Sequence, residues 1–384
     1  MDFNKIINRV NTNCYKWSSE DQIPMSIADM DFEVAEEILC AMQKRLEHKV
    51  FGYGYAPDEY FESYCNWWKK RHNFIIEKEW LMFSIGVVAS IATAVRVFTE
   101  VNDNVLIQSP VYNMFHNCIL NNNRNIVSND LVYKEGKYYI DFVDLENKLK
   151  DEKTKLFILC NPHNPVGKLW SKEDLERIGK LCEKYNVLVL SDEIHCDIVK
   201  PGLGYIPYAS VNECNKMNSI TCIAPTKTFN IASLQTSCVF VPNEKIREKM
   251  QKGLSCDDNE GGNAFSYTPV IEAYNKCEYW VDEMLEYVWH NRELVKDYIR
   301  KEIPEIEYVE GEATYLVWLD CSSVVSDSVD FTNFLNKELK LTFNSGKRYG
   351  EQGKHFVRVN IACPECVVLE GLKRLKKGIE IYRK

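Results

Sequence analysis

Between residues 80 and 241 short apolar runs alternate with amphipathic stretches of helical period. The runs are Trp80 to Ile85, Asn104 to Gln108, Ile126 to Leu131, Lys155 to Cys160, Val187 to Ser191, Ser219 to Ala224 and Ser237 to Val241. Runs of this length, apolar on both faces and separated by helices, predict a mainly parallel sheet covered by helices. The clearest helix spans Ser171 to Tyr185 and opens with Ser171 and Asp174 at capping-box spacing. Beyond about residue 243 the pattern is largely helical to Lys301. Tyr315 to Asp320 and Phe356 to Ile361 then read as strands, and Cys363 to Lys384 as a closing helix.

The first 24 residues are polar, with apolar anchors at Phe3, Ile6 and Trp17, which predicts an arm lying on a larger body. Ile38, Leu39, Met42 and Leu46 form one stripe of a helix over Val34 to His48, and Asp29 and Asp31 stand where they could cap it. Phe51-Gly52-Tyr53-Gly54-Tyr55 is a glycine-punctuated aromatic loop suited to an interface or a site. Asp58 opens a helix through Tyr64, Trp67 and Trp68 to Arg71. A chain of 384 residues exceeds what one core usually serves. The expectation is an α/β protein with a large domain over residues 46–284, built on a seven-stranded, mainly parallel sheet. A smaller α+β domain is expected from residues 1–45 together with 285–384.

Composition narrows the partners. Forty-seven basic against 56 acidic residues give −9, which argues against a nucleic-acid or anionic-membrane surface. No run approaches the roughly 20 apolar residues that span a bilayer. Fifteen cysteines, odd in number and scattered, with no apolar signal core after Met1, predict free thiols in a reducing cytoplasm. Cys363-Pro364-Glu365-Cys366 lacks a second pair or a histidine cluster, so it reads as a strand end and helix start rather than a metal site.

The residues that carry chemistry fall at strand ends, where ligands bind in open parallel sheets. Lys227 stands in Ala224-Pro225-Thr226-Lys227, just after the run Ile220-Thr221-Cys222-Ile223; a lysine desolvated there can hold a neutral amine, the form that attacks carbonyls in Schiff-base chemistry. Asp192 ends another apolar run and needs a cationic partner, which a protonated pyridine nitrogen would supply. His195, three residues on, could reach an oxygen of the same ring. Gly86 joins a strand to a helix, so the amides of Val87 and Val88 face whatever anion sits at the helix N-terminus, and Gly86 permits the turn. Tyr112 places an aromatic ring at a strand end, able to stack on a planar cofactor. Asn161-Pro162-His163-Asn164-Pro165 puts two Asn-Pro steps into one rigid loop, which fixes the Asn164 side chain. Arg358 projects from a half-buried strand with a fork suited to a carboxylate.

Taken together, Gly86-Val87-Val88, Pro110-Val111-Tyr112, Asn161 to Gly167, Ser191 to His195, Thr226 to Asn230 and Arg358 to Pro364 stand in the order seen in fold-type I enzymes of pyridoxal 5'-phosphate (PLP) in the class I/II aminotransferase superfamily. The details Ala28-Asp29-Met30-Asp31-Phe32, Phe51-Gly52-Tyr53 and His195, where ordinary aminotransferases have tyrosine, resemble the MalY/PatB branch of cystathionine β-lyases and C-S lyases. The resemblance runs from about residue 3 to residue 380. It implies the aspartate aminotransferase-like fold, with Lys227 as the Schiff-base lysine, Asp192 at the pyridine nitrogen, Asn164 and His195 at the ring oxygen, and Tyr112 stacked on the ring. Val87, Val88 and Thr226 would hold the phosphate, Tyr53 would reach in from the second subunit of a homodimer, and Arg358 would bind the substrate α-carboxylate. It also implies a cis Asn164-Pro165 bond.

The implied activity is cleavage of cystathionine, cysteine or related S-substituted cysteines to thiol, pyruvate and ammonia, with Lys227 moving the α-proton and Tyr112 the nearest candidate to protonate the departing sulfur. An aminotransferase shares the motifs and is the alternative. A non-catalytic PLP-binding regulator would need a DNA-binding module, and no basic helix precedes the motifs. No G-x-G-x-x-G follows a strand, which argues against a nicotinamide-linked dehydrogenase. The chain departs from its relatives at Ala313-Thr314-Tyr315, at Ser345 to Gly350 with its added Lys347 and Arg348, and at the acidic stretch Cys256 to Gly262, which places the differences in substrate choice.

Overall fold

The central sheet is built from β1 (Leu81–Ser84), β2 (Asn104–Ile107), β3 (Asn125–Ser128), β4 (Thr154–Cys160), β5 (Leu188–Asp192), β6 (Ser219–Ile223) and β7 (Ser237–Phe240). Their order is β1-β7-β6-β5-β4-β2-β3, and only β7 runs antiparallel to its neighbours. The computed structural model describes residues 1–383; Lys384, the end of the expected closing helix, lies outside the described residues.

The physical reason for the sheet is the one read from the sequence. Val105, Leu106 and Ile107 are fully buried, as are Val189 and Leu190. Each such side chain contributes roughly 1.5–3 kcal/mol on leaving water, which is available only if both faces are covered. β3 at the edge is half-buried to exposed, as a strand with one open side should be.

Helices supply the cover. Helix α1 spans Glu36–Glu47, α2 Asp58–His72, α3 Val87–Phe98 and α4 Lys172–Lys184. Tyr60, Tyr64, Trp67 and Trp68 form the buried stripe of α2 at helical spacing. At α4 the capping box is present in both directions between Ser171 and Asp174.

A second sheet, of order β8-β9-β11-β10, is antiparallel throughout: β8 (Glu307–Val309), β9 (Leu316–Asp320), β10 (Asn344–Ser345) and β11 (Phe356–Asn360). The long helix α5 (Glu278–Glu302) packs on β8, and the closing helix α6 (Glu365–Tyr382) packs on α5. The N-terminal arm joins this body, since Ile23–Pro24 pairs in parallel with Leu341–Thr342 and the Asn360 amide donates to Met25 O at 2.8 Å.

Three local expectations are corrected. Asp29 and Asp31 do not cap α1, whose N-cap is Ala35 with no side-chain bond. Instead Arg9 bonds Asp29 at 2.7 Å and Asp31 at 2.5 Å, and Lys16 reaches Asp31 at 2.7 Å. Cations of the arm, about 20 residues away in the chain, win the carboxylates because a charged partner outcompetes a backbone amide. Second, Leu39 and Leu46 are exposed, so the apolar stripe of α1 is buried only at Ile38 and Ala41. Third, Ile6 is exposed, so the arm is anchored by Phe3 and by Trp17, whose indole donates to Asp31 at 2.9 Å.

Candidate active site

The centre of the site is a register row. Cys160, Asp192 and Cys222 are direct partners across β4, β5 and β6, so their side chains leave the same face of the sheet at its carboxyl edge. Asp192 is buried, accepts one hydrogen bond from the Ile194 amide at 3.2 Å, and has no ion pair among the described residues. Burial pushes its carboxyl up to about 7, against the opposing pull of the Ile194 amide and the Lys227 charge.

Lys227 follows β6 on the short helical turn Pro225–Thr228. Its Nζ donates to Ala28 O at 2.6 Å, and burial pushes the ammonium down to about 8, with Asp29 opposing and Arg358 assisting the fall. Tyr315, which the sequence marked only as a strand start, donates its hydroxyl to the same Ala28 oxygen at 3.0 Å. His195 is buried with Nδ1 unpartnered and its ring 6.1 Å from that of Tyr315. Burial, with the charges of Lys227 and Arg358, pushes it down to about 3, so it is neutral at physiological pH.

Arg358 leaves β11 and lies buried. It donates to Asn164 Oδ1 at 3.2 Å and to Ser26 O at 2.8 Å, and its guanidinium lies 4.9 Å from the Tyr349 ring centroid. Among the described residues no carboxylate pairs with it, and its Nε has no acceptor. The Asn164-Pro165 peptide is cis, as are Ser109-Pro110 and Asn161-Pro162. Tyr112 is half-buried; burial first and the Asp192 charge second push its phenol up to about 12. The added Lys347 is paired with Asp327 at 3.1 Å, whereas Arg348 is exposed.

At the other end of the site Gly86 precedes α3. Its φ of 171° is extended backbone, so its role there is space rather than a left-handed turn: a Cβ would meet no atom within 4 Å. The first amides of α3, those of Val87 and Val88, have no acceptor within their own helix. Thr226 is buried beside Lys227. Tyr53 is fully exposed and stands apart from this cluster within the single chain. A group of possible metal ligands, His72, Cys196 and Asp197, occurs on the far side of Thr228. There the Asp197 oxygens already accept from Trp67 Nε1 at 2.9 Å, His72 Nε2 at 2.9 Å and Thr228 Oγ1 at 2.8 Å.

These residues fit PLP on three observations. A buried carboxylate without a cation suits a pyridinium nitrogen, an amine of lowered pKa suits imine formation, and the open space at Gly86 before two unbonded amides suits a phosphate.

A parallel sheet with a lysine at one strand end and an aspartate at its neighbour's defines the fold-type I architecture of PLP enzymes. The chain belongs to the aminotransferase class I and II family, whose model matches residues 20–375. It is 38% identical to the cystathionine beta-lyase PatB of Bacillus subtilis, over 99% of this chain and 100% of that protein. A PLP-bound protein of Clostridium difficile 630 that carries an aminotransferase name superposes with a TM-score of 0.95 at 40% identity, covering 98% of this chain and 99% of its own. The PLP-bound C-S lyase of Staphylococcus hominis gives a TM-score of 0.93 at 32% identity, covering 99% and 98%.

Proposed function

We propose that this chain is a PLP-dependent carbon-sulfur β-lyase. It cleaves cystathionine, cysteine or related S-substituted L-cysteines: water enters, and a thiol, pyruvate and ammonia leave. The observation that carries the reading is Arg358, buried without a carboxylate partner beside Lys227 and Asp192, which is a receptor for the α-carboxylate of an amino acid next to a reactive amine. The full-length likeness to PatB supports carbon-sulfur cleavage as the outcome.

The cofactor supplies an electron sink for the pair left on Cα when its proton departs. The protein does the rest. Arg358 would grip the carboxylate with its planar fork and so hold the substrate in one orientation. Lys227, whose ammonium burial brings down to about 8 so that a working fraction of the amine is neutral near physiological pH, takes the α-proton. Asp192 keeps the ring nitrogen protonated by offering a buried negative charge. Asn164 and the neutral His195 would border the ring oxygen, Tyr112 would cover the ring face, and Val87, Val88 and Thr226 would hold the phosphate. The Tyr112 phenol, raised to about 12, stays protonated and is the candidate to protonate the departing sulfur.

The same reading makes the enzyme a homodimer. Leu46, Val50, Phe51, Tyr53 and Tyr55 expose an apolar strip along α1 and the loop after it, and Tyr53 would complete the phosphate site of the second copy. Residues 46–284 would act as the PLP-binding domain and 1–45 with 285–384 as the smaller one. Fifteen free thiols fit a cytoplasmic location.

Aminotransfer is the second reading, favoured by the name of the Clostridium difficile protein. Holoenzyme given L-cystathionine without a keto acid decides between them. Pyruvate and free thiol accumulating in equal amounts support the lyase; amino transfer that requires an added keto acid, with no thiol released, overturns it.

A further inference from the structure

The acidic stretch Cys256 to Gly262 is tied to α3 and to the turn before it. Asp257 is tied to Arg96 and Thr93, which pins the end of the preceding helix against α3. Two residues on, Asn259 is 2% exposed. Its Oδ1 accepts from the Ile85 amide at 3.0 Å and from Ser84 Oγ at 3.0 Å. Because a backbone amide can only donate, the carboxamide orientation is fixed: Oδ1 faces the turn and Nδ2 is the free end. That Nδ2 is buried and has no acceptor among the described residues.

The turn it holds is the one before α3. Ser90 Oγ donates to Ser84 Oγ at 2.7 Å, and the Ser90 amide donates to Gly86 O at 3.0 Å, so Asn259, Ser84 and Ser90 together fix the path of Ile85-Gly86. Beside it lie the open space at Gly86 and the unbonded amides of Val87 and Val88. A buried amide donor is rarely left unpaired, and this one belongs to the side chain that holds Ile85, the residue before Gly86 and those amides.

We infer that Asn259 is a phosphate-binding residue of the cofactor site, its Nδ2 donating to the PLP phosphate while its Oδ1 holds the Ile85-Gly86 turn in place. The inference rests on PLP as the cofactor and not on which bond the enzyme cleaves.

The test compares PLP with pyridoxal, which lacks the phosphate, by titrating each into apoprotein and following ligand absorbance and protein fluorescence. In Asn259→Ala the dissociation constant for PLP rises about tenfold, as for loss of a hydrogen bond to a charged group, and that for pyridoxal stays within about twofold. Asn259→Asp, of the same shape, keeps an acceptor toward Ile85 but sets a negative charge toward the phosphate, and weakens PLP further while sparing pyridoxal. If Asn259→Ala does not fold, Asn259→Asp carries the test. Unchanged PLP affinity in Asn259→Asp, or an equal loss for both ligands, overturns the inference. Failure of the enzyme to cleave cystathionine leaves this result untouched.

Discussion

Lys227 and Tyr315 share one acceptor: Nζ lies 2.6 Å and the phenolic oxygen 3.0 Å from the carbonyl oxygen of Ala28. The carbonyl therefore divides its lone pairs between the reactive amine and a buried phenol, and the phenol weakens the hold on the amine. Tyr315→Phe leaves Lys227 as the sole donor and ties the amine more firmly. A neutral hydrogen bond is worth about 0.5–1.5 kcal/mol, so kcat should fall by roughly three- to tenfold with KM little changed. Steady-state kinetics beside a thermal melt of the same variant separate this from unfolding.

Asp192 gives a pH signature in the apoprotein. Its folded pKa is raised to about 7 while the unfolded chain ionises near the ordinary carboxylate value. Between those two points the native state binds more protons than the unfolded one, so stability is lost as pH rises through this window. Asp192→Asn removes the titration. The apo variant should match wild type near pH 4 and exceed it at pH 7.5 by on the order of 3 kcal/mol. Lys227 acts at higher pH with the opposite slope: its depressed pKa of about 8 means that stability is recovered as pH rises above 8. Thermal melts of both apoproteins from pH 4 to 9 check the window and the sign.

Arg358 should control KM. Arg358→Lys keeps the charge but loses the fork, the bond to Ser26 O at 2.8 Å and the contact with the Tyr349 ring. The expected outcome is a fall in kcat/KM of about 100-fold, borne mainly by KM, with PLP affinity unchanged. A KM equal to wild type would remove Arg358 from substrate binding.

Gly86→Ala separates fold from cofactor. The backbone there is extended and the new methyl meets no atom within 4 Å, so the apoprotein should melt at the wild-type temperature. The methyl would occupy the space before α3, and PLP affinity should drop about tenfold or more. Calorimetry of the apoprotein and PLP titration give the two readings.

How much of this was legible in the sequence depends on whether a residue's partner is local. Lys227, Asp192 and Asn164 stand at the ends of apolar runs, and the sheet that those runs predict carries them to one edge. The capping box of α4 was legible because Ser171 and Asp174 are three residues apart. Asp29 and Asp31 misled because their cations, Arg9 and Lys16, come from an arm whose path periodicity does not give. Tyr315 and Asn259 were missed for a related reason: each gains its role from a backbone group supplied by a distant segment, Ala28 and Ile85 respectively. Gly86 does precede the helix, as its place between strand and helix predicts, on backbone that is extended. Leu39 and Leu46 show that a helical stripe predicts what is apolar and not what covers it.

The central claim is that the amine of Lys227, opposite the carboxylate of Asp192, is the group that bonds PLP. Treating the holoprotein with borohydride, digesting it and sequencing the peptides by mass spectrometry tests it directly. The account predicts the pyridoxyl-phosphate mass on Lys227 and its disappearance in Lys227→Ala; the mass on another lysine, or on none in the PLP-loaded protein, would contradict it.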